Sequence, residues 1–562
     1  MVDVQRGNPS APYKINFHAW RYHFETESDS EVILKAYRAW GPAAVHQLEG
    51  MFAFALWDAD HRRLWLCRDR MGIKPLYYYR SPKGGLFFSS EVRSLLALGE
   101  PWIERQIDRS ALSSYFAQGS VWGSQTLVAG IRSLEPGTYS FVRQDGTMES
   151  PTPYWKLPTA DHREIPSDRN TCVQNIRELL QNSLEQHLVS DVPVGLFLSG
   201  GIDSSALAIL ASKVQRGLDA ITLGFEQTDL DESRLAKELG KKLGMHHHFI
   251  RRTEKDLLDD FPTFLEKLDQ PSIDGFNTFL VSKAAREAGL KVVLSGLGAD
   301  ELFGGYPTFW QVPLALRLRK ISNLFGPARV ALAFLARQVP SMHADKMASV
   351  FVRRSHIVDL QLLRREIFVR EQHLSFPQQA PTLCYTSGVD DSLVESLRGS
   401  VQGFAPETQI SLIELQTYLR YVLLRDCDNF SMANSLELRV PFLSRSLLEY
   451  MIGVPGKWKR PADYPKPLLV DAVGDLPKAI YLRKKQGFHL PWAAWLRGPL
   501  RNLLLSYLED QELWRGLGIN TELPRKVWQQ FESDSTSRGH ASRVLALSCL
   551  ASFVKTHRLS AT

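Results

Sequence analysis

From residue 172 onward, apolar positions recur with two alternating periods. Residues 172–189 carry them at helical spacing, 194–198 is a short uninterrupted apolar run, and 204–213 returns to an Ala/Leu helical pattern. The alternation continues with a predicted strand over 220–225, helices over 232–243 and 278–288, and a strand over 291–294. Strands separated by helices predict a parallel sheet, and such sheets hold ligands beyond the carboxyl ends of their strands. Residues 310 to about 400 are Leu/Arg-rich and read as helical insertions, and most of the chain from 408 onward reads as helix. Before residue 155 the pattern differs: short apolar stretches such as 51–57 and 63–67 are broken by Asp/Gly turns, which predicts antiparallel sheet with a few helices. Pro151, Pro153, Pro158 and Pro166 mark a linker, and no segment repeats. The reading is therefore α/β, with domains over 1–157 and 170–555.

With 562 residues, 44% of them hydrophobic and 23% charged, the chain is long enough for two or three cores and is globular in composition. Its net charge of +6 is spread along the sequence, which suits phosphate ligands without demanding nucleic acid. Five cysteines, Cys67, Cys172, Cys384, Cys427 and Cys549, lie far apart and form no CxxC pair, so a reducing cytoplasm is expected. The first residues lack the apolar core of a signal peptide, and no stretch approaches the roughly 18 apolar residues of a membrane helix.

Two glycine-rich turns carry the candidate chemistry. SGGIDSS over 199–205 follows an apolar strand and opens a helix, so its backbone N–H groups and the positive end of the helix dipole converge on one spot. Gly200 and Gly201 let an anion approach the backbone, Ser199, Ser204 and Ser205 supply hydroxyls, and Asp203 offers a carboxylate for phosphate-bound Mg²⁺. No GxxxxGK[ST] is present, so a Walker-type kinase or GTPase is not supported. The second turn, SGLGADELFGGY over 295–306, repeats the arrangement and adds Asp300 and Glu301 as candidates for Mg²⁺ ligation or loop orientation, with solvated turn acids as the plain alternative. Three consecutive histidines, His246 to His248, cannot all face one ion from a strand, so a strand edge or solvent is the better reading. The basic stretch 314–320 with Arg329 and Arg337 reads as the solvated face of a packed helical insertion rather than a membrane or nucleic-acid surface.

These two turns, together with RDCDNFSMANSLELRVPFL over 425–443 and RKKQGF over 483–488, resemble the glutamine-hydrolysing asparagine synthetase family. The similarity runs collinearly from about residue 19 to 500. It includes SDSEV over 28–32, LEGMFAFA over 48–55, RDRMGIKPLY over 68–77, LEPG over 134–137 and Tyr154-Trp155, which resemble the family's class II glutamine amidotransferase domain.

The resemblance implies an ATP pyrophosphatase-type (adenine nucleotide α-hydrolase-like) synthetase domain with helical insertions. Ahead of it, the resemblance implies a partial N-terminal-nucleophile-type α+β amidotransferase domain. It also implies a two-step ligase: ATP adenylates a carboxylate, typically the aspartate side chain, and ammonia attacks the acyl-adenylate. By this resemblance Ser199, Gly200, Gly201, Asp203 and Ser204 bind pyrophosphate, while Phe197, Leu223, Ser295 and Gly296 line the nucleotide. Asp203 and Asp300 hold Mg²⁺, Lys485 stabilises the departing pyrophosphate, and Asp29 contacts the amino group of glutamine. ATP and Mg²⁺ are the expected cofactors. Aspartate or another carboxylate, with ammonia or glutamine, are the expected substrates. No nucleic-acid or membrane partner is expected; a homodimer and a separate glutaminase are left open.

Two departures modify this expectation. The family's glutaminase uses an N-terminal cysteine whose own amino group serves as base, whereas the first cysteine here is Cys67. The chain as given is therefore expected not to hydrolyse glutamine by that mechanism, through a misplaced start codon, a truncated gene or a supply of ammonia from elsewhere. Leu297 stands where asparagine synthetases commonly carry a glutamate, which points toward a carboxylate other than aspartate, on a sugar or natural product. Two other readings stay beside the ligase. One is an adenylating enzyme acting on tRNA or purine nucleotides, against which thiolation cysteines and an RNA-binding module are missing. The other is a non-catalytic degenerate scaffold.

Overall fold

The computed structural model describes residues 2–3, 24–162, 165–225, 232–322, 346, 356–368, 389–460, 463–483, 490–534 and 538–560. It divides into two compact units, one formed by 1–103 with 131–157 and the other by 104–130 with 158–562.

The first unit is antiparallel. Helix α1 (Asp29–Trp40) precedes strands β1 (Ala53–Asp58), β2 (Arg63–Arg68), β3 (Tyr77–Arg80), β4 (Leu86–Ser89), β5 (Ile131–Ser133), β6 (Thr138–Arg143) and β7 (Thr152–Pro153). They form a four-stranded sheet in the order β1-β2-β6-β7 and a three-stranded sheet β4-β3-β5. The period-2 alternation of β2 feeds two cores. Trp65 and Cys67 pack with Ala36, Val45, Leu48 and Phe141 on one side, while Leu66 packs with Leu76, Leu134 and Val142 on the other. Trp65 is fully buried among the rings of Tyr37 (4.9 Å), Phe54 (5.0 Å) and Tyr139 (6.0 Å). The linker expected over 151–166 is corrected at its start, because β7 pairs with β6 and buried Tyr154 donates its hydroxyl to Arg68 O at 2.8 Å.

The RDRMGIK segment after β2 is braced from within. Asp69, 1% exposed, accepts from the N–H groups of Met71, Ile73 and Lys74 at 2.9–3.1 Å. Arg68 donates to the carbonyls of Lys74, Gly72 and Leu134. Gly72 holds φ +72° with the Pro136 ring where a Cβ would be, so only glycine fits.

The second unit is built on a five-stranded sheet. Its strands are β8 (Val194–Phe197), β9 (Asp219–Phe225), β10 (His246–Arg252), β11 (Val292–Leu294) and β12 (Glu437–Arg439), in the order β10-β9-β8-β11-β12, all parallel. The expected α/β parallel sheet is thus present, with β8 at its centre. The helix after β8, Ile202–Val214, is buried along Ala206 to Ala211 on every side, which is why its sequence shows no polar face. Around the sheet lie helices Arg169–Leu188, Phe276–Glu287, Pro406–Gln416, Arg425–Met432 and Pro467–Val473. The described part of the helical insertion comprises Thr308–Ser322, Ile357–Arg365 and Asp391–Ser400.

Helix Arg109–Gln118 belongs to this second unit although it falls between strands of the first. Tyr115 donates to Ala546 O at 2.7 Å, Ala117 O accepts from Ile367 N–H at 2.8 Å, and Leu127 N–H donates to Gln270 Oε1 at 2.9 Å. No described helix is long and apolar enough to cross a membrane.

Candidate active site

β8 ends where the chain leaves the sheet. Leu198 extends the strand by one bond, its N–H donating to Ile221 O at 2.8 Å, and Gly200 then turns with φ +76°. The loop is tied by hydroxyls. Ser199 N–H donates to Ser204 Oγ at 3.1 Å, the two serine hydroxyls lie 3.0 Å apart, and Gly201 N–H donates to Ser199 Oγ at 3.3 Å. Gly201 occupies the N-cap of the helix and offers no side chain, leaving the helix N-terminus to an incoming acceptor. Ser205, by contrast, is fully buried and faces the core. Phe197 and Leu223, on adjacent strands, are half-buried against Ile221, Leu290 and Val293.

The second loop leaves β11 beside the first. Ser295 N–H donates to Arg439 O at 2.8 Å. A Cβ on Gly296 would stand 3.0 Å from Asp203 Cβ, so this glycine is what lets the two loops touch. Leu297 is half-buried, and Gly298, at φ +93°, starts the short helix Ala299–Phe303.

The loops converge on a residue absent from the sequence reading. Lys466, at the N-cap of Pro467–Val473 with a left-handed backbone (φ 51°, ψ 52°), is 2% exposed. Its ammonium is ion-paired with Asp203 Oδ1 and lies 2.5 Å from Asp300 Oδ1, while the two aspartates are 24% and 21% exposed. Burial works against the charge, yet the two carboxylates outweigh it and push the lysine up to about 12, so it stays cationic at neutral pH. Gly305 closes the group: a Cβ there would collide with Asp300 Oδ1 and Lys466 Cε. Nothing local in the YPKP stretch around Lys466 marks it, because its partners lie far away in sequence.

Glu301 does not join the cluster at the surface. It is 1% exposed and accepts from the Tyr306 hydroxyl at 2.7 Å; burial, with Asp300 beside it, raises its carboxyl to about 7. The Tyr306 ring in turn sits 4.8 Å from the Arg365 guanidinium, which pairs with fully buried Glu414 at 3.0 Å and stacks 3.7 Å over Tyr418. This network braces the loop from behind. Sequence reading missed Arg365, Glu414 and Tyr418, which sit in helical stretches with no motif of their own.

Lys485 lies outside the described residues. Asp29 is exposed in the first turn of α1, whose N-cap is Ser28. Cys67 is a core residue: burial pushes its thiol well above the usual range, which removes it as a nucleophile. Among the described residues no three His, Cys, Asp or Glu side chains group closely enough to hold a metal. Asp203 and Asp300 nevertheless converge on one point, and two hard carboxylates completed by phosphate oxygens and water suit Mg²⁺.

A central parallel sheet with paired glycine-rich strand-end loops defines an α/β unit of the class that holds its ligands beyond the carboxyl ends of the strands. The family model described as asparagine synthase matches residues 175–554, and that of a glutamine amidotransferase domain matches 13–155. "Asparagine synthetase [glutamine-hydrolyzing] 1" of Bacillus subtilis (strain 168) is 31% identical over 498 residues, covering 87% of this chain and 76% of that protein. "Putative asparagine synthetase [glutamine-hydrolyzing]" of Mycobacterium bovis is 34% identical, covering 84% and 72%. "Amidase chyE" of Penicillium rubens is 28% identical, covering 88% and 77%. The chain belongs to the asparagine synthase family: it is an ATP-dependent amide ligase with an N-terminal glutamine amidotransferase domain.

Proposed function

We propose that the second unit activates a carboxylate as its acyl-adenylate and then transfers ammonia to it. In the first step a carboxylate oxygen attacks the α-phosphorus of ATP and pyrophosphate leaves. In the second, ammonia attacks the acyl carbon, AMP departs, and the ammonium proton passes to solvent or a nearby base. The observation that carries this reading is Lys466 held between Asp203 and Asp300 beside the SGGIDSS turn.

Each residue then has a physical task. The turn's backbone amides and the hydroxyls of Ser199 and Ser204 hold the leaving pyrophosphate, and Phe197, Leu223, Ser295 and Gly296 line the nucleotide. Lys466 compensates the negative charge that grows on the leaving group, in a setting where burial strengthens the interaction. Lys485 is a second candidate cation for the same phosphates. Asp203 and Asp300 would hold Mg²⁺, which when bound supplies further neutralisation of the phosphate oxygens.

The acceptor is the aspartate side chain, with asparagine as product, in the leading reading. Apolar Leu297 in the second loop favours a second reading, in which the amidated carboxylate belongs to a sugar or natural-product intermediate. The nitrogen is ammonia, free or released from glutamine. The described cysteines, Cys67, Cys172, Cys427 and Cys549, are buried, and a reducing cytoplasm is the location that goes with this reading. Incubation with ATP, Mg²⁺, ammonium and a panel of carboxylic acids tests the proposal by pyrophosphate release. Release that depends on one acid supports it and names the acceptor; no release with any acid favours a scaffold.

A further inference from the structure

Thr222, on β9, is 3% exposed and its hydroxyl donates to Leu198 O at 2.5 Å. A threonine hydroxyl has one hydrogen, so toward a second neighbour it can only accept. That neighbour is His247 on the adjacent edge strand β10, whose Nε2 lies 2.8 Å from the same oxygen. The hydrogen count therefore puts a proton on His247 Nε2, and a chain runs from imidazole N–H through the Thr222 hydroxyl to the Leu198 carbonyl.

That carbonyl belongs to the peptide unit from which the phosphate turn departs. Its other end, Ser199 N–H, donates to Ser204 Oγ at 3.1 Å. The peptide plane is thus held at both ends, by the histidine chain on one side and by the loop's own serine on the other.

We infer that His247 is a positioning residue for the phosphate-binding turn, acting through Thr222 on the Leu198–Ser199 peptide. The inference rests on the nucleotide reading above. With both bonds in place the amides of the turn are aimed before ATP arrives, so less ordering is needed on binding. Without them the peptide can rotate and the amides lose their common focus.

The test measures Mg²⁺-ATP affinity of the full chain by calorimetry, with steady-state KM for ATP and for the acceptor, and a thermal melt for each variant. Thr222→Val removes the hydroxyl at constant shape and should weaken ATP roughly tenfold, while half-buried His247→Leu should weaken it roughly threefold. Thr222→Ser and His247→Gln, which restore an acceptor-donor hydroxyl and a donor amide, should recover most of the loss. KM for the acceptor should stay unchanged. Should Thr222→Val fail to fold, the His247 pair carries the comparison. Unchanged ATP affinity in Thr222→Val and His247→Leu, or equal loss in the rescuing variants, overturns the inference alone. A wild-type chain that binds no ATP overturns it together with the nucleotide reading.

Discussion

Lys466 donates to Asp203 across 263 residues of sequence, and the same ammonium lies 2.5 Å from Asp300. One buried cation therefore joins the loops that follow two neighbouring parallel strands. Either aspartate alone would be an ordinary helix-start acid, where the dipole already favours it. Sharing a lysine that is 2% exposed makes them a charged cluster at the carboxyl edge of the sheet, where ligands of such sheets bind.

Lys466→Met should lower acceptor-dependent AMP formation by about 10²–10³-fold, the usual effect of losing one preorganised charge at a transition state. The melting temperature should fall by only a few degrees, because Asp203 and Asp300 are partly exposed and rehydrate. Rate and melt together check this: a severe loss of stability with little loss of rate would make Lys466 purely structural.

Gly305→Ala should reduce the same rate by at least about tenfold, since the added methyl collides with Asp300 Oδ1 and Lys466 Cε and must part the pair. Gly516→Ala, where a Cβ meets nothing within 4 Å, is the control and should leave the rate near wild type.

Legibility followed sequence distance. The strand ending at Phe197 and the turn after it were readable because an apolar run, two glycines and an Ala/Leu helix are contiguous signals. Lys466 was not readable, because both of its partners lie more than 160 residues away and a lysine in a left-handed backbone breaks the local expectation. Helix Arg109–Gln118 looked like part of the N-terminal span for the same reason: its hydrogen bonds reach Ile367 and Ala546. Of the two readings open for the histidine run, a strand edge or solvent, the structure shows the edge strand, but the bond between His247 and Thr222 depends on register, which local pattern does not supply.

Lys459 provides a prediction on pH. It is fully buried, its Nζ has no hydrogen-bond partner among the described residues, and burial lowers it from the ordinary 10.5 to about 7. Because the folded value is depressed, the folded state is at no disadvantage above pH 10.5. As pH falls from there to 7, the unfolded chain takes up a proton that the folded chain refuses, and stability is lost. Lys459→Met should therefore be more stable than wild type by roughly 2–4 kcal/mol at pH 7, with the gain vanishing toward pH 10.5 and levelling off below 7. Denaturant melts of the two proteins across that range check the slope.

In the first unit, Asp69→Ala should cost about 2–4 kcal/mol, since three backbone N–H groups inside a closed turn lose a charged acceptor. Asp69→Asn should cost less, because one oxygen remains to accept. Protection of the Met71, Ile73 and Lys74 amides against hydrogen exchange reports the loss directly.

The central claim, that ATP is spent on making an acyl-adenylate, is tested most directly by isotope transfer. With the accepted carboxylic acid labelled with ¹⁸O in its carboxyl group, one ¹⁸O should appear in AMP and none in pyrophosphate, and Asp203→Ala should abolish the transfer. Label in inorganic phosphate with ADP as the nucleotide product, or unchanged labelling of AMP by Asp203→Ala, would contradict the account.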